Sequence, residues 1–237
     1  GYTLFMGGVH HSIAPSMYAK LDYDLERDFV PLALIAMVPQ VLVVNPKKVT
    51  GDFKTFLDDV RKHPGKFNYG SAGGGTSHHM AGELFKLQTN TFITHIPYRG
   101  AGPALNDTVA GQVPIIFDNL PSALPFILSG KLVPIVLAAP QRLSQLPNVP
   151  TFKEVGLEPV NRMAYYGILG PKGLPKDVVD KVSAGVKKAL QDPAVVKRIQ
   201  DTGSLIVANT PEEFTAQIKA EFEVYKKVVD QQKLKLD

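Results

Sequence analysis

Short apolar runs alternate with helical patterns along the whole chain. The apolar runs predict nine strands, at 2–6, 33–37, 41–45, 67–70, 92–96, 113–117, 132–138, 164–169 and 204–207. Between most of them, apolar residues recur at the three- and four-residue spacing that places side chains on one face of a helix. Alternation of this kind predicts an α/β fold with a largely parallel sheet.

Amphipathic stripes and start signals mark the helices. Stripes of apolar residues predict helices at 53–61 and 176–190. Pro103 opens a third helix in the first position, where proline is favoured. Thr210 and Glu213 have the spacing of a capping box ahead of the last helix.

The chain contains no repeat, low-complexity tract or long linker that would separate two independent domains. Two lobes would therefore have to share strands that cross from one to the other. The short apolar strands at 41–45 and 165–169, each of which enters a proline-marked turn, are the candidates.

A glycine-rich segment, Tyr69–Met80, follows a predicted strand and opens a helical pattern. Its glycines let the backbone approach a guest closely, and Thr76 and Ser77 are suited to cap the helix. A helix N-terminus carries unpaired N–H groups and a partial positive charge, so this segment suits an anion. The segment lacks the lysine of a nucleotide phosphate loop and the pattern of a nucleophile elbow. An ordinary strand–helix turn is the alternative interpretation.

A second strand–turn–helix with a glycine-lined start lies at 96–104. Two such helix ends after neighbouring strands would point into one crevice at the carboxyl edge of a parallel sheet, where open α/β sheets bind ligands. Arg99 either pairs with a carboxylate or lies on the surface. Asp118 ends the next strand, where it makes either a polar contact at the crevice or an Asx turn.

Two histidine pairs and several hydroxyl residues are candidates for metal binding or catalysis. His10 with His11 and His78 with His79 are adjacent in sequence, so each pair points to different helix faces and does not favour zinc. Neither a paired set of carboxylates nor a convincing Ser/His/Asp set is present, so catalysis is not predicted. Tyr165 and its neighbour either stack on a ligand or belong to the core.

Composition narrows the possible partners. The chain has 237 residues, 44% of them hydrophobic, which is enough for a substantial core. It has no cysteine and no apolar run long enough to predict a membrane helix. The net charge of +4 is spread along the chain without a basic stripe. Nucleic acid is therefore not an expected partner, whereas small anions are.

Several segments together resemble the Bug-type receptors of tripartite tricarboxylate transporters. Tyr69–Phe85 resembles their motif Y-G-S-x-G-x-G-[ST]-x-x-H-L-x-x-E-x-F, and 97–113 resembles P-Y-[KR]-G-x-x-P-A followed by G-Q-V. Further matches occur, in the family's order, at 1–4, 28–31, 42–46, 117–118, 146–151 and 166–168. The resemblance thus covers the whole chain.

The resemblance implies a periplasmic solute-binding protein with a two-lobed, type II periplasmic-binding-protein fold, crossing strands and a central cleft that closes like a Venus flytrap. It implies lobes at 1–42 with 164–237 and at 43–163, no cofactor, and delivery of a carboxylate to membrane permease subunits. Dicarboxylates, aromatic acids and acidic amino acids all remain open as ligands, and a monomer is expected. By position, the ligand-binding residues would be His11, Ser12, Ala14, Ser71, Gly74, Gly75, Thr76, Ser77, Tyr98, Gly100, Ala101 and Asp118, with Tyr165 added for a ligand with an apolar body.

The chain departs from the family pattern at three places. Pro114 replaces an aspartate and Met80 replaces a leucine, and both changes are expected to be tolerated. Family members also carry a strand, a Gly-Gly loop and a helix before the segment that matches 1–4, so we expect part of the first lobe's half of the site to be missing from this chain. Two other functions remain open: a ligand sensor for a signalling partner, and an enzyme of the transferase type on the same fold.

Overall fold

The computed structural model describes residues 3–236 of the chain. They form two compact units: unit 1 comprises Gly1–Val38 with Ala164–Asp237, and unit 2 comprises Pro39–Met163. The chain passes between the units twice, after Val38 and after Met163. No helix within residues 3–236 has the length and apolar character needed to span a membrane.

Strands and helices alternate in both units, as the hydrophobic pattern predicts. The first segment of unit 1 holds β1 (Phe5–Gly8), α1 (His10–Met17), α2 (Leu25–Asp28) and β2 (Phe29–Val38). Unit 2 holds β3 (Gln40–Val44), α3 (Phe53–Lys62), β4 (Asn68–Ser71), α4 (Ser77–Thr89), β5 (Thr94–Pro97), α5 (Ala101–Ala110), β6 (Ile115–Asn119), α6 (Leu120–Leu128) and β7 (Val133–Ala138). A short 3₁₀ helix (Glu158–Val160) precedes the elements that complete unit 1, which are β8 (Ala164–Pro171), α7 (Lys176–Ala189), α8 (Pro193–Asp201), β9 (Leu205–Asn209) and α9 (Pro211–Gln232).

All nine predicted strands have a counterpart in the same order. The first strand, predicted at 2–6, is observed at Phe5–Gly8, and the second, predicted at 33–37, begins four residues earlier, at Phe29; Tyr2 lies outside the described residues. The capping box is confirmed, because Thr210 Oγ1 accepts the amide of Glu213 while the Glu213 carboxylate accepts the amide of Thr210. Helix α5 begins at Ala101, two residues before the predicted start at Pro103.

The prediction of a largely parallel sheet is wrong. Unit 1 holds a four-stranded sheet in the order β1-β8-β2-β9 with every pair antiparallel. Unit 2 holds a five-stranded sheet in the order β5-β4-β6-β3-β7, in which only the pairs of β4 with β5 and β6 are parallel. Strands joined through helices within one sheet run in the same direction, except β3 and β4, which α3 joins and which run in opposite directions. However, β8 lies between β1 and β2, and β3 lies between β6 and β7, so antiparallel neighbours separate them.

The strands predicted to cross between lobes each belong to one sheet. The strand β3 pairs with β6 and β7 in unit 2, and β8 pairs with β1 and β2 in unit 1. In unit 2, the parallel strands β5, β4 and β6 bring their carboxyl ends, and the helix starts that follow them, to one edge of the sheet. Most of the candidate ligand-binding residues of unit 2 lie on these turns and helix starts.

Candidate functional site

The loop between β4 and α4 owes its shape to glycine and to a threonine cap. Gly73 and Gly75 have φ values of 129° and 73°, a region that residues with a Cβ rarely adopt. Thr76 is the N-cap of α4: its Oγ1 donates to the carbonyl of Gly73 at 2.7 Å and accepts from the amide of His79 at 3.4 Å. These two bonds fix the turn that opens the helix.

Three amides at this helix start have no hydrogen-bond partner among residues 3–236: those of Gly74, Ser77 and His78. The hydroxyl of Ser77 also has none within the same residues. These unpaired donors lie at the positive end of a 13-residue helix. The arrangement suits a carboxylate, which offers several acceptor lone pairs and a negative charge.

The hydroxyl of Ser71 is used within the protein. Its Oγ lies 2.6 Å from Nε2 of His95, accepts the amide of Gly73 at 3.0 Å and is 3.2 Å from the Gly73 carbonyl. Ser71 is 0% exposed, and these contacts fix its hydroxyl within the loop. His95 was not among the predicted site residues. It lies on β5, and the adjacent parallel pairing with β4 places it beside Tyr69 and Ser71.

A buried aromatic and charged cluster supports this corner of unit 2. The His95 ring stacks on His79, with centroids 4.0 Å apart, and on Tyr69, with centroids 5.0 Å apart. The Tyr69 hydroxyl donates to Glu83 at 2.8 Å, and Glu83 also pairs with Lys86 at 2.8 Å. Burial lowers the pKa of His79 to about 4 and that of His95 to about 3. Both rings are therefore neutral near pH 7, and the charges of Glu83 and Lys86 compensate each other within the cluster.

The second glycine-lined turn is joined to the first. The amides of Tyr98 and Gly100 donate to the carbonyls of Ser71 and Ala72, each at 3.1 Å. Gly100, with φ of 104°, is the N-cap of α5, and the Ala101 amide has no partner among the described residues. The Tyr98 hydroxyl donates to Asp107 at 2.8 Å, so its polar end is occupied. Arg99 is exposed and forms no ion pair within residues 3–236.

A buried histidine and carboxyl meet beneath the start of α4. Nε2 of His78 lies 3.2 Å from Oδ1 of Asp118, and the two residues are 4% and 0% exposed. Neither oxygen of Asp118 nor Nδ1 of His78 has a hydrogen bond of standard geometry within the described part of the chain. Burial raises the pKa of Asp118 to about 7, against smaller opposing effects of Ser122 and the Asn119 amide, and burial lowers the pKa of His78 to about 4.

The candidate residues of unit 1 form a separate group. The hydroxyls of Ser12 and Tyr165 are 2.6 Å apart, and both residues are 1% exposed. Nδ1 of His11 lies 3.1 Å from both the amide nitrogen and the carbonyl oxygen of Gly8. His11 and Ser12 line a groove of about 650 Å³ bounded by α1, residues 18–27 and α9. Ala14 is buried inside α1, where its carbonyl accepts the amide of Tyr18.

The chemistry available at the start of α4 is that of holding an anion. Among residues 3–236, no group of three or more His, Asp or Glu side chains is placed to hold a metal ion. Ser71 and His95 are within hydrogen-bond distance, but the serine is enclosed and its oxygen also accepts the Gly73 amide. The free donors are backbone amides and one hydroxyl, groups that can hold an anion by hydrogen bonds.

Comparison with known proteins places the chain in a well-populated group. The family model described as "Tripartite tricarboxylate transporter family receptor" matches residues 1–234. A protein encoded in the tcbD–tcbE intergenic region of a Pseudomonas species is 34% identical over 235 residues, which is 99% of this chain and 70% of that protein. BugT of Bordetella pertussis is 30% identical over 238 residues, covering 100% of this chain and 73% of that protein.

Solved structures share the fold over nearly the whole chain. One described as a periplasmic transporter has a TM-score of 0.94 at 44% identity and covers 100% of this chain and 79% of its own. An R. palustris protein with adipate has a TM-score of 0.91 at 27% identity, with 97% and 77% covered. MatC of Rhodopseudomonas palustris with bound malate has a TM-score of 0.87 at 31% identity, with 96% and 79% covered. The fold is thus that of periplasmic binding proteins.

Proposed function

The chain belongs to the tripartite tricarboxylate transporter receptor family, and we propose that it is a periplasmic receptor that binds a small organic carboxylate and delivers it to a membrane transporter. The family and its structural relatives are substrate-binding proteins rather than enzymes. The observation that carries the proposal is the set of unpaired donors at the start of α4, namely the amides of Gly74, Ser77 and His78 and the hydroxyl of Ser77. These donors offer a carboxylate both hydrogen bonds and the positive end of the helix dipole.

The residues of the proposed site divide into contacts and supports. Gly74, Gly75 and Ser77, together with Gly100 and Ala101 on the neighbouring turn, would contact the carboxylate. Ser71, Thr76 and Tyr98 would hold the two turns in place, because their hydroxyls bond within the protein. In this proposal the two units act as the two lobes and close around the ligand. The residues of unit 1 that would then contribute are His11, Ser12, Ala14 and Tyr165.

Dicarboxylates are the first ligand class to test. Two structural relatives were solved with malate and adipate, both of which are aliphatic dicarboxylates. Aromatic acids and acidic amino acids belong in the same screen, because the free donors at the start of α4 recognise a carboxylate and not the rest of the molecule. We expect no role for nucleic acid, and we expect the monomer to be the binding species.

Differential scanning fluorimetry against these acids tests the proposal. A ligand at one hundred times its Kd stabilises the folded protein by about 2.7 kcal/mol. For a chain of this size, that corresponds to a rise in Tm of about 5–10 °C. No shift with any carboxylate, from a protein that shows a cooperative melt without ligand, would overturn the proposal.

Substitution of Ser77 locates the binding site. Ser77→Ala removes one hydroxyl donor, and a hydrogen bond to a charged acceptor contributes about 1.5–3 kcal/mol. We therefore expect the Kd of the best acid to rise about 10- to 100-fold in isothermal titration calorimetry. Ser129→Ala is the matched control, because Ser129 is an exposed serine of the same unit whose hydroxyl donates to the Phe126 carbonyl. Equal affinities for the two variants would place the carboxylate elsewhere.

A further inference from the structure

The buried pair of His78 and Asp118 lies directly behind the donors that are proposed to bind the ligand. His78 is the second residue of α4, and its own amide is one of the unpaired donors. Nε2 of its side chain lies 3.2 Å from Oδ1 of the enclosed Asp118 carboxyl. One residue therefore meets the proposed anion through its backbone amide and the carboxyl group through its side chain, so that two negative charges at these places would repel each other.

The polar atoms of this pair are incompletely satisfied. Nδ1 of His78 and both oxygens of Asp118 are enclosed and have no hydrogen bond of standard geometry among the described residues. Such atoms are costly to bury, and a bare carboxylate is the most costly of them. The pair is therefore stabilised when it holds a proton, which removes the uncompensated negative charge.

The neighbouring titratable groups do not compensate Asp118. Neither β3 nor α6 carries a charged side chain. On the other elements packed against the pair, the titratable groups have partners of their own or are neutral. Tyr69 and Lys86 both bond to Glu83, and the rings of His79 and His95 stack. Asp107 accepts from Tyr98, and Glu158 pairs with Lys153. A change in the local field from a bound anion thus acts on His78 and Asp118.

We infer that binding of the ligand carboxylate at the start of α4 is coupled to the uptake of a proton by the His78–Asp118 pair. This inference rests on the proposed function and adds to it a dependence on pH. A negative charge at the His78 amide disfavours the ionised form of Asp118, so the proton is held more tightly in the complex than in the free protein. By linkage, the ligand binds more tightly when the pair is protonated.

The sign and size of the dependence of the Kd on pH follow from the pKa of the Asp118 carboxyl. Burial places the pKa of Asp118 at about 7 in the free protein. If the ligand raises it by one unit, the complex takes up about half a proton at pH 7.5, and the Kd rises about tenfold between pH 6 and pH 9. Malate and adipate are suitable probes, because carboxyls of small acids titrate well below this range.

Calorimetry of the wild-type protein measures the coupling directly. Titration of malate or adipate at pH 7.5, in buffers with different enthalpies of ionisation, gives the number of protons taken up per ligand. We expect about 0.3–0.7, and a Kd that weakens as the pH rises from 6.5 to 9. Binding with no proton uptake would overturn this inference and leave the proposed function intact. Absence of binding at every pH by malate, adipate and every other acid of the screen would overturn the proposed function and this inference with it.

Variants assign the proton to the pair. Asp118→Asn is expected to abolish both the proton uptake and the pH dependence of the Kd, whatever its affinity at pH 6.5. Glu221→Gln is the matched control, because it removes another buried carboxylate, on α9 of unit 1, and should keep the wild-type proton uptake. Proton uptake that persists in Asp118→Asn would overturn the assignment.

A measurement on the wild-type protein tests the same inference without depending on whether a variant folds. Carbon-13 NMR of aspartate carboxyls in the wild-type protein should show one resonance that titrates near pH 7 and moves to higher pH when malate is added. A free protein in which every aspartate titrates below pH 5 would contradict the inference.

Discussion

The substitution Gly82→Ala tests how the support beneath the binding loop is packed. Gly82 lies in the middle of α4, and a Cβ added there would overlap two ring carbons of Tyr69 and lie 2.8 Å from its hydroxyl oxygen. Carbon atoms in contact are normally about 3.5–4.0 Å apart, so the ring would have to move. The ring is held by its bond to Glu83 and by its stacking on His95, and it is 0% exposed.

The expected cost is the balance of three terms. Overpacking of a buried site costs about 1–3 kcal/mol. Weakening the hydrogen bond from Tyr69 to the Glu83 carboxylate costs about 1.5 kcal/mol more. The higher helix propensity of alanine returns about 1 kcal/mol. We therefore expect a net loss of about 2–3 kcal/mol and a Tm lower by about 5–10 °C.

Gly185→Ala is the matched control for Gly82→Ala. Gly185 lies within α7, and no heavy atom outside its own neighbourhood lies within 4 Å of a Cβ built there. The same change should therefore stabilise the protein by up to about 1 kcal/mol. Because the chain has no tryptophan, circular dichroism and calorimetry are the suitable probes of unfolding. If the two variants are equally stable, the packing of Tyr69 against α4 is not as described.

Three further measurements test other parts of the structure. Thr210→Ala breaks the capping box of α9 and should lower the free energy of unfolding by about 1 kcal/mol in urea denaturation; an unchanged value would show that the cap does not matter. His95→Phe keeps the stacked rings but leaves the Ser71 hydroxyl without its 2.6 Å partner. The free energy of unfolding should therefore fall by about 1–3 kcal/mol, and acid binding should weaken. Wild-type affinity in this variant would exclude a positioning role for His95. Urea denaturation should show stability rising from pH 4 to about pH 7, because buried His78 and His79 and half-buried His95 have lowered pKa values and the unfolded chain binds protons that the folded one does not. Asp118, whose pKa is raised, opposes this rise over the same interval, so the rise should be steeper in Asp118→Asn, and an equal slope in that variant would contradict the account of Asp118.

Local features of the fold were predictable because they depend on neighbours in sequence. Glycine, proline and cap residues fix where a helix starts, and apolar runs fix where a strand lies, so all nine strands and the capping box at Thr210 were found. The pairing of strands was not predictable in this way. The placement of β8 between β1 and β2 joins residues more than 120 positions apart, and no local pattern encodes it.

The candidate site, like the fold, was predictable where it depends on residues that are neighbours in sequence. The segment 70–77 was identified from its glycines and hydroxyls, and its helix start carries the unpaired donors. The roles within it depend on long-range contacts that the sequence does not show. His95 holds Ser71 because β5 pairs with β4, and His78 meets Asp118 from a helix forty positions earlier in the chain. A candidate list based on position in a motif therefore mixes residues that would face a ligand with residues that hold them.

The distinction between contact and support shows which groups of this half of the proposed site attract an anion. The free donors are neutral, and the basic side chain in the supporting cluster, Lys86, is already paired with Glu83. The aligned amides of α4, whose field is strongest at the first turn, therefore supply the attraction from this loop, beside the exposed Arg99 on the neighbouring turn. Such a field recognises charge but little else. Discrimination among acids should therefore depend on groups that contact the rest of the ligand, and affinity should depend on the protonation of the Asp118 carboxyl behind the same turn.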